Sequence, residues 1–195
     1  MLNKIILASK SKVRKEMLIR NGIFCEVEPS NVDEETVKES LIKEKISPEL
    51  ISKNLAELKA NKVSQKKIDQ LVLGADSIID LNGQIISKPL NRDEALKNLQ
   101  SLSGKTHYLI SSACISKNGS MIWNYTDKAR LTMKQFNLNQ LKDYLAKITD
   151  EVLYAYNVYQ IEGEGRNLFS KIEGDEDTIM GLPIKKIKDY LKNFE

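Results

Sequence analysis

Short apolar runs alternate along this chain with segments of helical periodicity, and that alternation predicts an α/β fold. Two runs read as buried strands, KIILA over 4–8 and QLVLGADSIID over 70–80. Two Asn-Gly pairs, Asn82-Gly83 and Asn118-Gly119, join strand pairs in the way type I′ hairpin turns do. Connections are short throughout, so the sequence predicts one unit spanning residues 1–195.

In chain order, residues 11–21 follow the first strand as a helix, with Val13, Met17 and Leu18 on one side and Gly22 as its stop. IFCEVE over 23–28 alternates as a strand. Residues 33–46 and 48–64 read as two helices, the second opened by Ser47 as cap and Pro48 at its first position. Beyond the strand at 70–80, the first Asn-Gly turn leads into a short return strand over 84–87. Asn91 and Glu94 then form a capping-box signature for a helix ending near Leu102. Strands are expected over 106–116 and 120–134, and a helix capped by Asn137 over 138–147. Residues 150–173 read as turn and strand, and 177–195 end in an amphipathic helix started by Pro183.

Composition excludes several classes. Hydrophobic residues make up 41% and charged residues 29%, as in globular proteins. The longest uncharged stretch, Thr106 to Ser116, falls far short of the about 20 apolar residues that span a bilayer. The four-residue apolar patch near the N-terminus is too short for a signal-peptide core, so a cytoplasmic protein is expected. A net charge of +3 lacks the footprint of a nucleic-acid binder. Cys25 and Cys114 have no CxxC spacing, which excludes a cysteine metal cage and suits a reducing compartment. The single histidine, His107, reads as a strand-start residue without chemistry, leaving carboxylates, lysines, a few arginines and a hard metal ion as reagents.

Four local anomalies stand out. Lys10, Lys12, Arg14 and Lys15 crowd a helix N-terminus, where the dipole disfavours cations. With Ser9, Ser11 and the free N–H groups of a first turn, they compose a phosphate cradle or a merely solvated basic turn. Asp76 interrupts an apolar strand, and burying an unpaired carboxylate costs several kcal/mol. Its small neighbours Gly74, Ala75 and Ser77 leave room for a ligand or a hydrated cation. Asp33, Glu34 and Glu35 precede a helix, where acids belong on helix-dipole grounds alone, and only partnership with Asp76 would make one a metal ligand. Pro89 fixes the turn that aims Lys88, whereas Lys59 reads from its helical pattern as a solvated lysine.

These segments together resemble the Maf family of nucleotide pyrophosphatases. The resemblance rests on LASKSKVRKEML (7–18), NVDEE (31–35), LGADSIIDLNGQIISKP (73–89), LSGKTH (102–107), EGEGRNLFSKIEGD (162–175) and GLP (181–183), in the family's order along nearly the whole chain. The 108–134 region and Glu162 resemble an alphaproteobacterial subgroup. The resemblance implies a long, curved, mixed sheet flanked by helices, in two lobes around a nucleotide cleft, related to inosine-triphosphate pyrophosphatases. It implies hydrolysis of a nucleoside triphosphate, modified bases included, to monophosphate and pyrophosphate, in house-cleaning of the nucleotide pool and with a link to cell-division arrest.

Carried over by position, Asp76 matches the catalytic proton acceptor, Ser9 and Arg14 match the phosphate loop, and Glu34, Lys59 and Lys88 match the other charged cleft residues. On that reading Ser9, Ser11, Arg14 and Lys88 hold phosphate, Lys59 and Lys88 neutralise developing charge, and Glu34 and Asp76 share a Mg²⁺ or Mn²⁺. Base choice falls to Val13, Ser77 and Glu162. The family's dTTP- and UTP-accepting members carry Arg, Thr and Gln there; Glu162 resembles the 7-methyl-GTP branch, and Val13 and Ser77 fit neither pattern. A homodimer is implied as well. The competing expectation is a nucleotide sensor or nucleic-acid-associated division regulator without turnover.

Overall fold

The computed structural model describes residues 4–155 and 157–194. Its elements are β1 (Ile5–Leu7), α1 (Lys12–Arg20), β2 (Cys25–Val27), α2 (Glu34–Lys43), α3 (Pro48–Ser64), β3 (Val72–Leu81), β4 (Gln84–Ile86), α4 (Arg92–Leu102), β5 (Thr106–Lys117), β6 (Ser120–Met133), α5 (Leu138–Lys147), α6 (Asp150–Ala155), β7 (Phe169–Glu173), α7 (Glu176–Met180) and α8 (Ile184–Leu191). Short 3₁₀ turns occupy Glu164–Leu168 and Lys192–Phe194. No helix among the described residues is long and apolar enough to cross a membrane.

The seven strands form one mixed sheet in the order β2-β1-β3-β5-β6-β7, with β4 also paired to β3. β1 runs parallel to β2 and β3, and the other pairings are antiparallel. Both Asn-Gly turns have positive φ at each residue, Asn82 at 54° and Gly83 at 87°, Asn118 at 51° and Gly119 at 83°, as type I′ geometry requires. The Asp80 carboxylate accepts from the Gly83 N–H at 2.6 Å and tightens the first of them.

The register of β3 opens the sheet. β1 pairs only with Val72 and Leu73, and β4 only with Ile79 to Leu81, on the edge that β5 leaves free. Gly74 to Ile78 therefore pair on one side alone, and the strand presents an open edge between two groups of elements. Two main apolar clusters flank that gap. One gathers Leu99, Leu102, Leu131 and Leu141 around the far ends of β3, β5 and β6. The other gathers Ile5, Leu18, Leu73 and Ile187 around β1, α1 and α8. This is the two-lobed mixed sheet flanked by helices that the sequence led us to expect.

Helix α3 lies across β3 and β5, and its close approach explains a glycine. Ala56 and Ala60, both fully buried, bring the α3 backbone onto Gly74. A Cβ on Gly74 would sit 2.2 Å from the Ala56 carbonyl oxygen and 2.7 Å from the Ala60 nitrogen. The space beside Gly74 is thus filled by a helix and not by a ligand, which corrects the reading of that small residue as room for substrate.

One stretch differs from the sequence expectation. Residues 150–155 are helical: Thr149 caps α6, its Oγ1 accepting from the Val152 N–H at 3.4 Å, and Asp150 and Glu151 occupy the first turn. The amphipathic helix expected to start at Pro183 is α8, with Pro183 at its N-cap; the short α7 before it, not read from the sequence, ends at Gly181, whose φ is 114°. Glu195 lies outside the described residues.

His107 is fully buried; its Nε2 is 3.0 Å from the Tyr159 hydroxyl, and its Nδ1 has no partner. Desolvation lowers its pKa from 6.5 to about 4. The unfolded chain therefore takes up this proton first, and the stabilisation is complete above about pH 6.5 and lost as pH falls toward 4. The shift from 6.5 to about 4 corresponds to roughly 3 kcal/mol. Urea unfolding of wild type and His107→Gln at pH 7 and pH 4.5 should show a smaller acid loss in the variant; equal losses would contradict the assignment. Gly74→Ala should cost about 2–3 kcal/mol or more, because backbone must move to admit the methyl. A variant with an unchanged urea midpoint would refute the α3 packing.

Candidate active site

A cavity of about 560 Å³ opens where β3 is unpaired, within the size range of small-molecule sites. The residues to which the resemblance gives site roles all line it: Ser9, Ser11, Val13 and Arg14 from the α1 entry, Glu34 from α2, Lys59 from α3, Asp76 and Ser77 from β3, Lys88 after β4, and Glu162 near the late glycines; Lys15 and Asp33 do not.

Asp76 sits at the open edge and is 7% exposed. Its Oδ1 accepts from Lys59 Nζ at 2.9 Å, and its Oδ2 is buried without a partner. Lys59 is 4% exposed, contrary to the solvated lysine its helical pattern suggests. Its ammonium also contacts Glu34 Oε2 at 2.7 Å and donates to the Ala75 carbonyl at 3.3 Å. The turn of α3 that carries it faces the sheet edge, and α2 screens it from solvent on the far side. Ser52, one α3 stretch earlier, donates to the Asp76 carbonyl at 3.2 Å.

Glu34 and Asp76, expected to share a cation, are bridged by this ammonium. Among the described residues no three potential metal-ligating side chains cluster. The donor set still suits a hard divalent ion in part: Glu34 is half exposed, Asp76 Oδ2 is an orphaned oxygen, and such ions retain waters and phosphate oxygens as further ligands.

The basic turn is a built helix entry. Ser11 caps α1, its Oγ accepting from the Arg14 N–H at 3.3 Å, and Ser9 Oγ accepts from the Ser11 N–H at 3.2 Å. Both hydroxyl protons remain available to an anion. The Lys12 and Val13 N–H groups have no intrahelical acceptor, as in any first turn. No acidic residue stands in that turn, so its positive end is unneutralised from within the helix.

Arg14, expected as a phosphate ligand, lines the cavity and is also held by three hydrogen bonds. Its Nε donates to the Gly181 carbonyl at 3.1 Å, its Nη1 to the Ala75 carbonyl at 3.0 Å and its Nη2 to Ser77 Oγ at 3.0 Å. Three of its five N–H groups are thus committed to tying α1, β3 and the α7–α8 turn together. Desolvation lowers its pKa, opposed by the charges of Asp76 and Glu34. Lys88 is solvent-accessible yet stands between the cleft walls. That enclosure lowers its pKa, Arg14 and Lys59 lower it further, and Glu34 and Asp76 oppose them. Lys88 has no hydrogen-bond or ion-pair partner among the described residues, so its ammonium is free for a polyanion.

Sequence reasoning missed the contribution of α6. Glu151 and Tyr154 of α6, and Asn157 beyond it, join the cleft wall, and Glu151 pairs with Lys12 at 3.2 Å. Thr149-Asp150-Glu151 was the legible signal, a cap followed by first-turn acids. The opposite wall is apolar, with Ile79, Ile86, Leu109, Ile161, Ile179 and Met180.

The family described as Maf-like protein matches residues 4–194. A protein described as nucleoside triphosphate pyrophosphatase, from the alphaproteobacterium Pelagibacter ubique (strain HTCC1062), is 71% identical over 192 residues, covering 98% of each chain. A protein described as 7-methyl-GTP pyrophosphatase, from Mesorhizobium japonicum, is 41% identical over 184 residues, covering 94% of this chain and 92% of the relative. Among solved structures, the Staphylococcus aureus Ham1 protein aligns with a TM-score of 0.42 at 12% identity, over 99% of this chain and 100% of that one. On the family match and the identity to these relatives, the chain belongs to the Maf family.

Proposed function

We propose that this protein is a nucleoside triphosphate pyrophosphatase, cleaving between the α- and β-phosphates to release a monophosphate and pyrophosphate. The observation that carries the reading is Asp76, a carboxylate on the open edge of β3, at a cleft where Lys59, Lys88 and the α1 N-terminus converge. One wall offers N–H groups, hydroxyls and ammonium ions for a triphosphate, and the other offers apolar side chains for a base. The activity described for the Pelagibacter relative supports the same reading.

The chemistry asks mainly for positioning and charge neutralisation. Ser9, Ser11, the first-turn N–H groups and Lys88 hold the phosphates that leave. Asp76 Oδ2, the oxygen without a partner, accepts the proton of the water that attacks the α-phosphorus. That oxygen is buried and unpartnered while Lys59 holds Oδ1, and the Lys59 ammonium, with Lys88, neutralises the charge that develops on the phosphates. Arg14 keeps the α1 entry in register with β3. Glu34 and Asp76 would hold a divalent cation, Mg²⁺ or Mn²⁺. Bound there, it would neutralise phosphate charge.

Glu162, exposed at the cleft, presents a carboxylate suited to the N–H edge of a guanine-like base, in keeping with the 7-methyl-GTP named for the Mesorhizobium relative. Both cysteines are free, which suits a reducing cytoplasm. Purified protein should release pyrophosphate from a panel of nucleoside triphosphates with Mg²⁺ or Mn²⁺, fastest from guanine-bearing members. Asp76→Asn should stay folded and lose about 10²-fold or more in kcat. Nucleotide binding without turnover, or an active Asp76→Asn protein, would refute the proposal.

A further inference from the structure

The hydroxyl of Ser77 belongs to a hydrogen-bond chain whose direction is fixed by its two ends. At one end Arg14 Nη2, which can only donate, lies 3.0 Å from Ser77 Oγ. At the other, Ser111 Oγ lies 2.7 Å from the Thr178 backbone carbonyl, which can only accept. Ser111 has one proton, and the carbonyl takes it. The 2.8 Å contact between Ser77 Oγ and Ser111 Oγ must therefore carry the Ser77 proton toward Ser111. The chain reads Arg14 N–H to Ser77 O–H to Ser111 O–H to the Thr178 carbonyl, with no freedom to reverse.

Its surroundings keep it so. Ser111 and the Thr178 side chain are fully buried, and Ser111 is the direct cross-strand neighbour of Ser77. Thr178 is anchored in turn, its Oγ1 donating to Asp127 Oδ2 at 2.6 Å. Gly181 closes this corner: a Cβ there would stand at ordinary contact distance, 3.4 Å from Arg14 Nε and 3.5 Å from Ser77 Oγ, so it is the φ of 114° and not crowding that favours glycine.

Ser77 is the one member of the serine pair that lines the cleft, on the strand face it shares with Ile79 of the apolar wall. Its proton is spent inward and one lone pair is taken by Arg14. What remains toward the cavity is a single lone pair. We infer that Ser111 is a positioning residue for substrate choice: it holds Ser77 as an acceptor only, so that the cleft selects bases offering an N–H donor at this point. The inference rests on the pyrophosphatase reading and extends it to a residue that never touches substrate. Loss of the Ser111 hydroxyl would leave the Ser77 proton without its partner. An unmade buried donor is costly, so that proton would turn to the cleft and Ser77 would become a donor to the base.

The test compares nucleotide pairs that differ by one donor. GTP is set against ITP, which lacks the exocyclic amine, and UTP against N3-methyl-UTP, which lacks the ring N–H. Wild type should favour the donor-bearing member of at least one pair by about tenfold in kcat/KM. Ser111→Ala should cut that ratio by about fivefold or more, with the change carried in KM and not in kcat. Ser111→Cys, close in shape but a weak donor, should lie between them and serves if the alanine variant does not fold. A folded variant whose ratio stays within about twofold of wild type, or whose kcat falls equally for both members of a pair, would overturn the inference alone. So would a wild type indifferent within both pairs. A wild type that turns over no nucleotide would overturn the pyrophosphatase reading and this inference with it.

Discussion

One ammonium organises this cleft. Lys59 Nζ lies within 3 Å of both Asp76 Oδ1 and Glu34 Oε2, at the point where β3 has lost its neighbour on one side. A buried carboxylate without such a partner would be neutral or would unfold the strand around it. A buried lysine without carboxylates would face the same desolvation. The two ions make each other tolerable, and the helix that delivers the lysine is seated by Ala56 and Ala60 against Gly74. Packing and electrostatics thus depend on one another: the helix must lie close for the charge to reach, and the charge must reach for the acid to remain on the strand.

The same open edge explains why groups from opposite faces of the sheet serve one cavity. Successive residues of a strand point to opposite sides, so Asp76 faces α3 while Ser77 faces α1 and the α7–α8 turn. Around an intact sheet these would belong to separate environments. Where the sheet parts between β1 and β4, both reach the same space, and Arg14 and Lys59 converge from the two faces on a single carbonyl, that of Ala75. Asp76 and the Ser77–Ser111 hydroxyl chain are thereby adjacent in sequence and placed on opposite faces of the strand.

Much of this was legible in the residues. The α/β alternation, both Asn-Gly hairpins, the bounds of α3 and the cap at Asn137 follow from local chemistry, because caps and tight turns are satisfied within a few residues. Asp76 stood out because a charge in an apolar run conflicts with burial. What was not legible depends on distance in the fold. The pattern of α3 cannot show that Glu34 and Asp76 lie around Lys59. Gly74 reads as open space until a helix is placed on it. The basic turn cannot show that Arg14 also holds the carbonyls of Ala75 and Gly181, which come from far along the chain. The helix α6 was legible and was missed: Thr149-Asp150-Glu151 carries an ordinary start signal that the neighbouring glycine-rich segment obscured.

The account stands on water attacking the α-phosphorus beside Asp76. Turnover in ¹⁸O-enriched water, followed by mass spectrometry of both products, reads that bond directly. The label should appear in the nucleoside monophosphate, with the pyrophosphate unlabelled. Label in the pyrophosphate, or release of a single labelled phosphate with a diphosphate left behind, would place the attack elsewhere and contradict the assignment of the cleft.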